Sequence, residues 1–226
     1  MGDANQLLFV ESLADKLTGP VLEVGSRDYG NTQNFRETFG GADYLGIDMQ
    51  DGKGVDLVLD LTADFEYVDL ALKGRRFGVI ICMSVLEHCR NPFKMARNIE
   101  MLLADGGTLL VGVPFVWELH GFPDDYWRFT PSGIRVLFSN LDFSGLHGMA
   151  FSGRKGDSTA LDSDLFCIKF SSKNPQTRKL LGALPSNLIG LLRKLGLMKK
   201  LFGHRCVFPS VMVNMVGRKP SSTDGD

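Results

Sequence analysis

No two of the four cysteines stand at a C-x-x-C spacing, no apolar run approaches the ~20 residues that cross a bilayer, and G-x-G-x-x-G does not occur. The first absence argues against a zinc ribbon or a thioredoxin-like redox pair. With Cys82 inside an apolar run, it points to reduced thiols and a cytoplasmic setting. The second excludes a spanning helix. The third removes the usual sequence signature of a dinucleotide pyrophosphate site. Large net charge is also missing: the formal value is −1, which gives no general reason to expect nucleic acid as a partner. The N-terminal run MGDANQLLFVESLADKL carries acids and only a short apolar stretch, with Gln at position 6. It is read as neither a signal peptide nor a myristoylation site.

One absence is local. Between Lys173 and Arg205 there is no acid at all, against eight bases, so the rest of the chain carries about −9. The 226 residues suit one domain with an insertion, and a 44% hydrophobic share is enough for a substantial core.

What is present is alternation. Short apolar runs predict strands at 21–25, 43–48, 56–61, 77–83 and 107–113, the last two nearly continuous, as buried parallel strands are. Asn91-Pro92 opens a helix carrying Met95, Ile99 and Leu102 on one face, with Gly106-Gly107 as its expected stop. Thr130-Pro131 opens another, burying Ile134, Leu137 and Phe138. Two later strands are expected at 143–152 and 207–218, the second starting late because of Pro209. The expected fold is therefore α/β: a seven-stranded, mostly parallel sheet with helices on both faces and a helical insertion before the last strand. Residues 1–153 and 207–219 would form the domain, 154–206 a basic helical arm or lid, and 220–226 a disordered tail.

Ligands of open α/β sheets sit at the carboxyl ends of the strands. Here the first strand ends in Glu23-Val24-Gly25-Ser26, the second in Asp48 and the third in Asp60. A carboxylate at the first turn opposes a bare pyrophosphate and suits an amino-bearing group. Asp48 suits a ribose diol, and Asp60 suits an exocyclic adenine amine. Together they describe an adenosine bearing a cationic, amino-acid-like group.

The stretches VLEVGSRDYGN, YLGIDMQDGKGVDLVLDL, FGVIICMSVLEHCRNPFKMARNIEMLLADGGTLLVGVP and HGFPDDYWRFTPSGIRVLF resemble the class I S-adenosylmethionine-dependent methyltransferases. Within these, the chain looks closest to a bacterial branch often linked with glycan and cell-envelope biosynthesis. Arg27 departs from the commoner E-x-G-x-G-x-G form. The resemblance implies a Rossmann-like fold and S-adenosyl-L-methionine as cofactor. It also implies that Glu23, Gly25 and Ser26 border the methionine part, Asp48 holds the ribose, and Met49 lies against the adenine. Asp60 and Leu61 would edge the base, and Met83 and Ser84 would close the methionine side. No metal is implied.

For the acceptor side, His88 and His120 are the candidate bases, and Asp124, Asp125, Tyr126, Trp127 and Arg128 the candidate substrate contacts. Each has a plainer reading: His88 as support for the next helix, and the Asp124–Arg128 cluster as a loop satisfying itself. The expected function is methyl transfer to a small-molecule or glycan/lipid-linked acceptor, at oxygen. The alternatives are an NAD-dependent oxidoreductase, or an inactive nucleoside-binding, membrane-associated protein whose Arg27 fills part of the pocket. The basic arm, 178–205, is read either as a peripheral contact with the inner membrane surface or as an insertion packing on the domain or a homodimer partner. Leu188, Leu191, Leu192 and Leu195 form its apolar stripe, and a phase slip after Gly196 predicts two short helices.

Overall fold

The computed structural model of the chain describes residues 4–30, 35–40, 43–121, 124–144, 149–152, 156–161, 165, 168–169, 186–197, 206–207 and 209–221. The expected arm outside 186–197 and the tail beyond 221 therefore lie largely outside the described residues.

Helix α1 (Ala4–Ala14) precedes β1 (Val21–Val24), β2 (Tyr44–Asp48) and β3 (Leu57–Val58). Then come α2 (Phe65–Ala71), β4 (Phe77–Met83), α3 (Pro92–Leu102), β5 (Leu103–Val116) and α4 (Pro131–Leu137). After α4 the described elements are β6 (Met149–Ser152), β7 (Ser158–Ala160), β8 (Ile168–Lys169), α5 (Ser186–Lys194), β9 (Cys206–Val207) and β10 (Val211–Arg218). The main sheet runs β3-β2-β1-β4-β5-β10-β6-β7, with β8 and β9 pairing separately. Strands β3, β2, β1, β4 and β5 are mutually parallel, and β10 is antiparallel to both β5 and β6.

Eight strands therefore stand where seven were expected, the addition being β7, which pairs antiparallel with β6 from inside the predicted insertion. β3 spans only two residues, and the chain beyond it leaves the ladder before Asp60. β10 starts after Pro209, consistent with a residue that cannot donate to a ladder.

The strands form where they do because both faces are covered. Leu22, Val24, Ile80 and Cys82 point to one side, where α3 contributes Ala96, Ile99 and Leu102. Val21, Val79 and Ile81 point to the other, against Phe9 and Val10 of α1. The α3 start follows its sequence: Asn91 accepts a bond from the Lys94 amide (3.1 Å), with Pro92 in the first turn. Its end does not follow. The helix stops at Leu102, ahead of the Gly106-Gly107 pair, because Leu103 already pairs with Phe77 and begins β5.

One buried bond set fixes the geometry of the third strand end. The Asn98 amide on α3 donates to the carbonyls of Leu61 (2.8 Å) and Ala63 (2.9 Å), holding the segment after β3 against the helix. Replacing Asn98 with Leu removes the donor from the buried Leu61 carbonyl, at roughly 1–3 kcal/mol, and from the half-buried Ala63 carbonyl at less. The expected result is a lower urea midpoint with unchanged slope; an unchanged midpoint would show that the tie is dispensable.

Candidate active site

Strand β1 sits where the chain reverses direction across the sheet, with β2 on one side and β4 on the other. A cavity of about 390 Å³ opens at the carboxyl ends of these strands. That is within the ~300–1,000 Å³ of small-molecule sites. A second hollow of about 420 Å³ lies among Lys16, Thr18, Gly78, Gly106 and Arg218, at the opposite ends of β4 and β5 and away from the strand-end carboxylates.

The turn after β1 is held by its backbone: the Gly25 and Ser26 amides both donate to the Ile47 carbonyl (2.9 and 3.0 Å). Gly25 has φ +77°, and a β-carbon there would lie 2.4 Å from Val85 Cγ2. A glycine is thus required by conformation and by space, since the turns after β1 and β4 meet at this point. Ser84 on the second turn also has positive φ (+55°); its amide donates to Gly112 (2.8 Å) and its hydroxyl to Gln6 Oε1 (3.1 Å).

Gly25, Asp48, Met49, Asp60, Leu61 and Ser84 all line the cavity. Asp48 accepts from the Gln50 amide (2.9 Å), and Asp60 from the Thr62 amide and hydroxyl (both 2.7 Å), which orients each carboxylate at its strand end.

Glu23, Ser26 and Met83 do not line it. Glu23 alternates with Leu22 and Val24 along β1, so it shares the face of Val21 and accepts from the Tyr44 hydroxyl (2.7 Å). Ser26 is buried, its hydroxyl directed toward Gly46. Met83 is buried in the core on the α1 side. Arg27 does not fill the pocket either: it bonds to Gln50 Oε1, and its guanidinium lies 5.0 Å from the Tyr29 ring centre.

His88 lines the cavity and donates from Nδ1 to the Asp124 carbonyl (2.6 Å), which leaves Nε2 as its proton acceptor. Burial pulls its pKa below the ordinary value, opposed by that bond. His120 stands behind it, the two rings edge to face at 4.9 Å. Its Nδ1 lies near two acceptors, the Glu118 carbonyl (3.1 Å) and Asp125 Oδ2 (3.2 Å), so its Nε2 is open as well.

Glu87 completes the group: fully buried, with its pKa raised by that burial and its carboxylate 4.0 Å from His88 Nε2. That separation is wider than the about 3.4 Å between two ligands of one tetrahedral ion with ~2.1 Å bonds. The ligand-type atoms of Glu87, His88 and His120 all lie within 4.8 Å of one another. The sequence reading passed over Glu87, although it stands next to a singled-out histidine; nothing in a linear pattern marks it as buried.

The loop after β5 divides. Asp124 and Tyr126 line the cavity mouth, joined by Tyr126 Oη donating to Asp124 Oδ2 (2.6 Å) and accepting from Arg90 Nε (2.7 Å). The other three support the loop. Asp125 takes Arg128 in a two-pronged pair, which holds its pKa down to about 2. Arg128 also donates to the Glu118 carbonyl (3.0 Å), and Trp127 donates to Cys89 O (2.8 Å).

Residues 5–145 match a family model described as a methyltransferase domain. No curated protein matches the chain. Among solved structures, the N-terminal domain of EvdMO1, determined in the presence of S-adenosylhomocysteine and D-fucose, aligns with a TM-score of 0.50. It is 11% identical, over 97% of this chain and 84% of that one. A methyltransferase-like protein from Bacillus halodurans aligns at 0.49 with 16% identity, over 98% and 100% of the two chains. The N-methyltransferase NodS from Bradyrhizobium japonicum WM9, in complex with S-adenosylhomocysteine, aligns at 0.46 with 12% identity, over 96% and 86%. At these identities the likeness concerns the fold.

Glu23 provides a test that needs no substrate. Burial raises its pKa from 4.5 to about 7, against the Tyr44 bond and Arg36. Below pH 4.5 both folded and unfolded states are protonated. Between pH 4.5 and 7 the folded state binds the extra proton, so stability falls as pH rises, by about 3 kcal/mol in all. Glu23→Gln should remove that loss, narrowing the gap in melting temperature between pH 5 and pH 8. An unaltered gap would show that Glu23 is ionised in the fold.

Proposed function

Because the chain belongs to the methyltransferase-domain family across residues 5–145, we propose that it methylates an oxygen of a small-molecule or glycan-type acceptor. The enzyme is an S-adenosylmethionine-dependent methyltransferase, and the nicotinamide-dependent alternative falls away with the family match. The observation that carries the reading is the cavity itself. It presents two oriented carboxylates, Asp48 and Asp60, at successive strand ends beside a turn that only glycine can make.

The residues present fit the cofactor. Carboxylates in the positions of Asp48 and Asp60 accept hydrogen bonds from a ribose and an amine and would repel a phosphate. The exposed Met49 and buried Leu61 offer apolar surface for a base. Gly25 and Ser84 would border the amino-acid portion. When bound, the cofactor supplies an electrophilic methyl on a sulfonium.

The chain's own work is then alignment and proton removal. Aligning reactants is worth ~7–11 kcal/mol, and a general base adds ~10²–10⁴-fold. His88 is the proposed base. Its Nδ1–H is anchored on a carbonyl, so Nε2 takes the acceptor's proton as the carbon–oxygen bond forms. His120 and Glu87 stand within reach to share it. A tyrosine, a carboxylate and an arginine at the mouth (Tyr126, Asp124, Arg90) suit a polyhydroxylated acceptor.

Two measurements test this. Calorimetric titration with S-adenosylhomocysteine should show binding that Asp48→Ala weakens about 10–100-fold, as expected for hydrogen bonds to a charged group. No binding by the unaltered protein would sink the reading. Once an acceptor is found by screening, kcat/KM should rise with pH through a limb below the ordinary histidine pKa, because burial lowers that of His88. His88→Gln should remove the limb together with ~10²–10⁴-fold in rate. A limb that survives the substitution would assign the proton to another group.

A further inference from the structure

We infer that helix α5 docks the protein on an anionic lipid surface, lying in the interface rather than crossing it. Three independent features of the helix point there. Leu188, Leu191 and Leu195, at spacings of three and four residues, share one face, and each is exposed: Leu191 by 51% and Leu195 by 61%. None of them belongs to the core clusters among the described residues. An apolar helical stripe left in water marks a contact still to be made.

The charge around that stripe selects the occupant. Arg193 and Lys194 close the helix, and the surrounding stretch from Lys173 to Arg205 carries eight bases and no acid, in a chain otherwise near −9. A leucine stripe on one face, with an exposed Lys194 beside it and no acid in the helix, matches an anionic headgroup layer over its acyl boundary. No helix among the described residues is long and apolar enough to cross a membrane. Gly196, with φ +67°, ends this one after nine residues, which restricts it to the surface.

The topology makes the contact useful. β10 runs antiparallel to β5 with Val211 opposite Val116, so the segment holding α5 rejoins the sheet at the carboxyl end of β5. This is the end on which the cavity opens.

Flotation tests the inference, using vesicles of phosphatidylcholine alone and with roughly 30 mol% phosphatidylglycerol. The protein should float only with the anionic vesicles and be released as salt rises from about 0.05 to 0.5 M. Leu191→Glu/Leu195→Glu and Arg193→Gln/Lys194→Gln should each cut the bound fraction about tenfold or more. Affinity for S-adenosylhomocysteine, read in parallel, should be unchanged in both, which separates loss of docking from loss of fold. Failure of the unaltered protein to float would overturn the inference, as would flotation that survives both double substitutions. So would sedimentation in which the leucine variant turns a dimer into a monomer while the unaltered protein ignores vesicles, because the stripe would then be a subunit interface.

Discussion

The contact between Gly25 and Val85 is the constraint on which the site depends. The turns after β1 and β4 emerge side by side where the sheet reverses its order, and they can close on each other only because position 25 has no side chain. The Val85 side chain stands where a β-carbon at position 25 would be. That approach brings Ser84 and His88 on one side toward Asp48 and Asp60 on the other, so that one cavity collects all four. Arg27 replaces a glycine of the commoner pattern without disturbing this, because its side chain turns out to Gln50 and Tyr29.

Two classes of acid follow from the same architecture. Asp48 and Asp60 lie at strand ends, each tied to an amide two residues on, and present their charge to the cavity. Glu23 and Glu87 lie beneath the surface, where burial favours the protonated form. Glu23 has Tyr44 as its hydrogen-bond donor, whereas Glu87 has the two histidines beside it. The chain thus places two carboxylates on the cavity wall and two buried carboxyls behind it.

Much of this was legible in particular residues. The apolar run at Phe77–Met83, the Asn91-Pro92 and Thr130-Pro131 helix starts, and the delay of the last strand past Pro209 are local properties of a few neighbouring side chains. Asp48 and Asp60 could be read as ligand-facing because a parallel strand delivers its next residue to the carboxyl edge. Glu23 lies off the cavity lining for a related reason. Alternation along β1 turns it to the α1 face, and which face meets the ligand depends on what covers the other. α1 and β7 escaped notice because neither carries a strong period of its own: α1 buries Asn5 and Gln6 alongside Phe9, and β7 is three residues long.

The succession of buried strands from β1 to β5, the starts of α3 and α4 and the strand-end acids were determined by the sequence alone, because each is a pattern of residues close along the chain. Only the tertiary structure decided the remainder. It drew Glu87, His88 and His120 into one group, gave Asp125 to Arg128 while leaving Asp124 to the cavity, and kept the leucines of α5 out of the core. Burial and partner choice between distant segments are set by how elements pack, and no local pattern carries that information.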